Sequence, residues 1–97
     1  MPQHITPFVP GLSIKTASDA KAYIQGALEE VGPENLLIIL RAVGTSKGMT
    51  ALAREAGLTK AGLYRALSED GDPKLSTLSA ILTALGLQLS ITEKETV

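Results

Sequence analysis

Gly57 and the residues flanking it constrain this chain more than any other stretch. Residues 49–56 and 60–67 read as two short helices, separated only by Gly57, Leu58 and Thr59. So short a connection demands a backbone with positive φ, which glycine supplies without a steric cost. Ala53, four residues earlier, is small where the second helix must cross closely over the first. Leu52, Leu58, Leu63 and Leu67 are spaced to fill the angle between the two helices. Thr59 is a favourable N-cap for the second. That leaves Lys60, Ala61, Tyr64 and Arg65 on the second helix's outward face.

This is the pattern of a helix-turn-helix, in which the second helix enters the major groove of DNA. A plain helical corner with a solvated basic face shares part of it. Charge favours the first reading and leaves the second open. Residues 41–67 hold five bases (Arg41, Lys47, Arg54, Lys60, Arg65) against the single acid Glu55, a local +4. The rest of the chain carries four bases and nine acids, a local −5, so the formal net charge of −1 hides a basic segment in an acidic chain. Attraction to phosphates requires such a concentration of bases on one surface.

The remaining sequence predicts an all-α fold of five helices in one domain, with an extended N-terminal arm and a short C-terminal β-strand. The arm covers residues 1–17. Its prolines, Pro2, Pro7 and Pro10, oppose helix, and its apolar anchors are Ile5, Phe8, Val9, Leu12 and Ile14. The helical domain spans residues 18–92, with the two-helix motif at 49–67. Ser18 is the expected N-cap of the first helix, where Ala20, Tyr23, Ile24, Ala27, Leu28 and Val31 define one face. Gly32 ends that helix and Pro33 suits the first position of the next. The second helix is apolar nearly all round, from Leu36 through Val43, as expected of a central core helix or one buried at a dimer contact. A fifth helix presents Leu75, Leu78, Ile81, Leu82 and Leu85 on one face and stops at Gly86. Leu87, Leu89 and Ile91 then alternate with polar residues, the period of a strand. Such a strand needs a partner, either a twofold-related copy or the N-terminal arm. Residues 93–97 form a polar tail.

Several classes of function are disfavoured. The 97 residues include no cysteine, so disulfides, zinc knuckles and a cysteine nucleophile are excluded. His4 is the one histidine and lies in the arm. Three aromatic residues (Phe8, Tyr23 and Tyr64) are too few for a base-stacking sheet. Glu69, Asp70 and Asp72 surround Gly71 in a turn without the spacing of a calcium loop. The adjacent Glu29 and Glu30 point in different directions on a helix. No catalytic residue, metal ligand or cofactor is assigned, and an enzyme is not expected. The longest aliphatic run, residues 36–40, is far shorter than the roughly 20 residues a bilayer requires. A cytoplasmic protein without a membrane partner is expected.

The two-helix motif resembles the lambda-repressor-like (Cro/repressor) helix-turn-helix with its five-helix core. The wider chain, from about Asp19 to Ile91, resembles the probable addiction-module antidote proteins, HigA-like antitoxins of toxin–antitoxin pairs. The resemblance rests on Ala22-Tyr23-Ile24 and Ala27-Leu28-Glu29-Glu30, on Gly48-Met49-Thr50, and on Leu52-Ala53-Arg54-Glu55-Ala56-Gly57-Leu58. It continues through Gly62-Leu63-Tyr64-Arg65-Ala66-Leu67-Ser68, Asp72-Pro73, Thr77-Leu78 and Ala84-Leu85-Gly86-Leu87. It implies an antitoxin that neutralises a RelE-like toxin and represses its own operon as a dimer on a palindromic operator. The first motif helix of such folds usually begins with a glutamine that donates to phosphate. Met49 stands at that position and cannot donate, which leaves Thr50 or the backbone amides of that turn to substitute.

The expected base or groove contacts are therefore Thr59, Lys60, Ala61, Tyr64 and Arg65. Arg65 reads guanine, a contact worth about 1–3 kcal/mol of discrimination, or holds phosphate. Lys60 has the same two options. Ala61 meets a thymine methyl or simply lets the helix approach, and Tyr64 packs on sugar, donates to phosphate, or is half-buried in the core. Lys47, Thr50, Arg54 and Lys74 are the expected phosphate contacts, with solubilising charge the alternative for the three bases. One such motif makes few contacts, so a homodimer is expected, with its recognition helices one turn of DNA, roughly 34 Å, apart. Leu82, Leu85, Leu87, Leu89 and Ile91 are the expected dimer interface. The partners are thus double-stranded operator DNA, a cognate RelE-like toxin and a second copy. Two other functions remain open at this point: a stand-alone helix-turn-helix repressor, and a toxin-binding helical protein that does not touch DNA.

Overall fold

In the computed structural model, which describes residues 11–94, the first helix starts from Thr16 rather than from Ser18. The Thr16 hydroxyl accepts from the Asp19 backbone N–H (3.0 Å), and the Asp19 carboxylate accepts from the N–H groups of Lys15 (2.9 Å) and Thr16 (3.1 Å). This reciprocal arrangement satisfies donors that a helix start leaves open, and Asp19 is what selects Thr16 over its neighbour. Ser18 falls inside the first turn. The N–H groups of Lys15 first, then Thr16, hold the Asp19 carboxyl below its ordinary value.

Helix α1 (Ala17–Val31) ends at Gly32, whose N–H donates to the Leu28 carbonyl. Pro33 then opens a single 3-10 turn, Pro33–Asn35, that leads into α2 (Leu36–Lys47). The Asn35 side-chain amide donates back to the Val31 carbonyl at 2.6 Å and ties the two helices together. As its composition implies, α2 is central. Ile39, Leu40, Ala42, Val43 and Gly44 are buried, and α2 packs against both α1 and α3 (Met49–Ala56).

Gly44 sets the closeness of the α2–α3 contact. A Cβ there would lie 2.8 Å from the Met49 sulfur and 3.0 Å from Leu52 Cδ2. The chain from Pro33 to Lys47 meets α3 at 110°, so a nearly perpendicular corner forms around this small residue. Helix α3 also packs against α4 (Lys60–Ala66) and α5 (Leu75–Ala84), which makes it the hub of the domain. One core results, from Ile14, Ala20 and Ile24 through Ile39, Leu40, Val43, Met49, Leu52 and Ala53 to Leu63, Leu67, Ile81, Leu82 and Leu85. No single helix among the described residues is long and apolar enough to cross a membrane.

Both ends of the chain depart from expectation. Ala17 belongs to α1 and not to the arm. Of the arm's anchors, Ile14 is buried and Leu12 half-buried, and the Ser46 hydroxyl donates to the Leu12 carbonyl at 2.9 Å. His4, Ile5, Phe8, Val9 and the three arm prolines lie outside the described residues, as does the end of the tail. The expected C-terminal strand does not form: residues 87–94 adopt no regular structure, and no strand occurs among the described residues. A strand's backbone groups need a neighbouring strand, and the described residues supply none. Leu87 packs on the core, but Leu89 is 50% exposed and Ile91 97% exposed.

Candidate nucleic-acid interface

The α3–α4 corner forms by the means its sequence suggests. Gly57 has φ 74° and ψ 28°, the left-handed conformation. Its N–H donates to the Arg54 carbonyl (3.2 Å), and the Leu58 N–H reaches back to the Ala53 carbonyl (2.8 Å). These two bonds are a Schellman closure, which satisfies carbonyls at the end of α3 and turns the chain sharply. Thr59 then caps α4, its hydroxyl oxygen accepting from the Gly62 N–H at 2.9 Å. Leu52, Ala53, Leu63 and Leu67 are buried in the angle and Leu58 is half-buried beside them.

With Leu63 and Leu67 turned inward, the opposite face of α4 is fixed. Lys60, Ala61, Tyr64 and Arg65 are all exposed, at the i, i+1, i+4, i+5 spacing of one helix face. That face carries two basic side chains, Lys60 and Arg65, and no carboxylate. Thr59 is also exposed, but its oxygen is engaged in the cap. Tyr64 is not a core residue, although at 36% exposure one side of its ring is covered.

The cover is Arg41. Its guanidinium carbon stands 5.1 Å from the centroid of the Tyr64 ring, over the ring face, in the range of a cation–π contact. The contact brings α2 to the outward face of α4, and reading the sequence did not assign Arg41 to the site. The signal was available: Arg41 is the lone charged residue between Leu36 and Val43 in a helix that is otherwise apolar there. A cation in that setting keeps its head in water or finds an aromatic surface.

The expected phosphate contacts lie on the neighbouring elements and are exposed. Lys47 ends α2, and Thr50 and Arg54 lie on α3; all three are exposed. Met49, by contrast, is buried with its sulfur close to Gly44, so the start of α3 offers packing there and Thr50 the exposed hydroxyl. Lys74 is exposed at the N-cap of α5, beyond the loop that follows α4.

That loop is acidic but closes on itself. The Ser68 hydroxyl is 2.9 Å from the Arg65 carbonyl and 3.2 Å from the Asp70 carboxylate, and a Cβ at Gly71 would lie 2.5 Å from the Ala66 carbonyl oxygen. It is a turn, as the sequence suggests, and no group of residues fit to hold a metal occurs among those described.

Of the five residues expected at a dimer interface, Leu82 and Leu85 are buried in the chain's own core, and Leu87 packs partly against it. The reason is local. Gly86, at φ 80°, turns the chain back after α5, and the Leu87 N–H donates to the Leu82 carbonyl. Only Leu89 and Ile91 of that set stay exposed.

These features define a small all-α protein in which a tight two-helix corner presents a basic helix face. The chain belongs to the family described as probable addiction module antidote protein, whose model matches residues 5–93. Over 91 residues it is 29% identical to an uncharacterized protein of Haemophilus influenzae (strain ATCC 51907 / DSM 11121 / KW20 / Rd), covering 94% of each chain. No solved structure matches it. Membership in an antidote family points to the antitoxin side of a toxin–antitoxin pair, and to a toxin as partner.

Proposed function

We propose that this protein neutralises a RelE-like toxin and represses its own operon, binding operator DNA as a homodimer through a lambda-repressor-like helix-turn-helix formed by α3 and α4. It acts by binding and not by catalysis, in the cytoplasm, and its resemblance is to HigA-like antitoxins. The antidote family supports the toxin-directed half of this reading. The observation that carries the DNA-directed half is the α4 face, where Lys60, Ala61, Tyr64 and Arg65 are exposed together while Leu63 and Leu67 anchor the helix. In this reading Lys60 and Arg65 meet bases or phosphates in the groove, and Lys47, Thr50, Arg54 and Lys74 hold the backbone on either side.

The test combines two assays on one pair of proteins. Wild type and Arg65→Ala are titrated against a duplex of the protein's own promoter at low and physiological salt. Both are also co-expressed with the product of the neighbouring gene. The proposal expects sequence-specific binding that weakens steeply with salt and is lost in Arg65→Ala, with neutralisation intact in both. Neutralisation without any DNA binding would leave a pure toxin-binding protein. DNA binding without neutralisation would leave a stand-alone repressor.

A further inference from the structure

The Arg41–Tyr64 contact adds a residue to the proposed DNA surface, and it rests on the DNA-binding reading. Tyr64 lies on the exposed face of α4, yet the group over its ring comes from α2. A guanidinium carries five N–H donors in a planar fork, so one placed over a ring face keeps donors that the ring does not engage. Arg41 is half-buried, so part of its side chain stays open to solvent beside the exposed face of α4 that carries Tyr64. Phosphate oxygens are the acceptors that a planar, permanently charged fork of donors in such a place suits best.

We infer that Arg41 is a phosphate-holding residue of the DNA interface and that it positions Tyr64 by stacking on its ring. The stack restrains the tyrosine before DNA arrives, so less side-chain freedom is lost on binding. Arg41 and the Tyr64 hydroxyl then act together on the backbone. As a phosphate contact, Arg41 adds affinity without sequence preference.

The experiment measures binding of the full chain to its own-promoter duplex and to a scrambled duplex of equal length, each across a salt series. The proteins are wild type, Arg41→Ala, Arg41→Lys and Arg65→Ala, with melting temperature recorded for each. Arg41→Ala is expected to weaken both duplexes alike, by roughly tenfold. Its slope of log affinity against log salt should fall in magnitude by about one. Arg41→Lys keeps the charge but loses the stack and the fork, so it should keep the slope and lose part of the affinity.

Two results overturn the inference while leaving the DNA reading intact. In one, Arg65→Ala loses promoter binding but Arg41→Ala matches wild type in affinity and slope. In the other, Arg41→Ala binds more weakly with an unchanged slope and a lowered melting temperature, which marks a merely structural residue. Absence of salt-dependent binding by the wild type overturns both readings together.

Discussion

The Arg41 guanidinium rests over the ring of Tyr64, 5.1 Å from its centroid, and links the central helix α2 to the outer face of α4. The two residues are 23 positions apart in sequence, so the contact exists only in the folded chain. A double-mutant cycle of Arg41→Ala and Tyr64→Leu in urea should therefore give a coupling energy of about 0.5–1 kcal/mol, the value of a partly exposed cation–π pair. Tyr64→Phe should keep most of the coupling, because the ring survives. Additive single-mutant effects would mean that the contact contributes nothing to stability.

Gly57 and Gly71 should both resist replacement by alanine, for opposite reasons. A Cβ at Gly57 meets nothing within 4 Å, but the residue sits at φ 74°. Gly57→Ala should thus cost about 1–2 kcal/mol through backbone conformation alone, and Gly57→Asn less. Gly71 has no positive φ, yet its Cβ would press on the backbone carbonyl of Ala66. That oxygen belongs to the end of α4 and cannot swing aside as a side chain does. Gly71→Ala should cost a comparable amount, with no rescue by asparagine. Urea midpoints of the four variants decide the matter: a rescue at position 71 would contradict the steric account.

Much of this architecture could be read from the chain because local chemistry and global packing agree there. Gly57, Thr59 and the leucines at 52, 63 and 67 each have a single good role, and together they specify the corner. Other features depend on partners that a linear pattern does not display. Thr16 displaced Ser18 as the cap because Asp19 returns a hydrogen bond to it. The strand at residues 87–91 failed to form because alternation fixes which side chains share a face and supplies no neighbour for the backbone. Leu82 and Leu85, expected at a dimer interface, are buried in the chain's own core beside the chain reversal at Gly86. Arg41 counts toward the basic segment in the sequence, but its place at the site depends on an aromatic ring from another helix.

Asp19 gives the helix cap a pH signature. Its carboxyl is held below the ordinary value of 3.8, chiefly by the N–H groups of Lys15 and Thr16. A depressed folded-state value means that the unfolded chain binds the proton more readily. The stabilisation is fully present above the unfolded value and is lost as the pH falls through the folded one. Melting temperatures of wild type and Asp19→Asn should differ most near neutral pH and converge in acid, once the pH has fallen through the depressed folded-state value. A constant difference across that range would show that ionisation of Asp19 does not contribute to the cap.

The C-terminal leucines should separate stability from assembly. Leu85 is 4% exposed within a single chain, so Leu85→Ala should cost about 2–5 kcal/mol by opening a cavity, whatever the oligomeric state. Leu89 and Ile91 are half and almost fully exposed, so a chain acting alone gains little from them. Replacing both by serine should change the stability of a monomer by less than about 0.5 kcal/mol each. If the protein is the dimer proposed, and these side chains meet a second copy, the Leu89→Ser/Ile91→Ser protein should sediment as a monomer at concentrations where wild type is dimeric. Its promoter binding should weaken as well, because two linked recognition helices bind far more tightly than one. A double variant that remains a dimer would move the interface elsewhere, and α1 or the half-buried turn at the start of α2 would be the next surfaces to change.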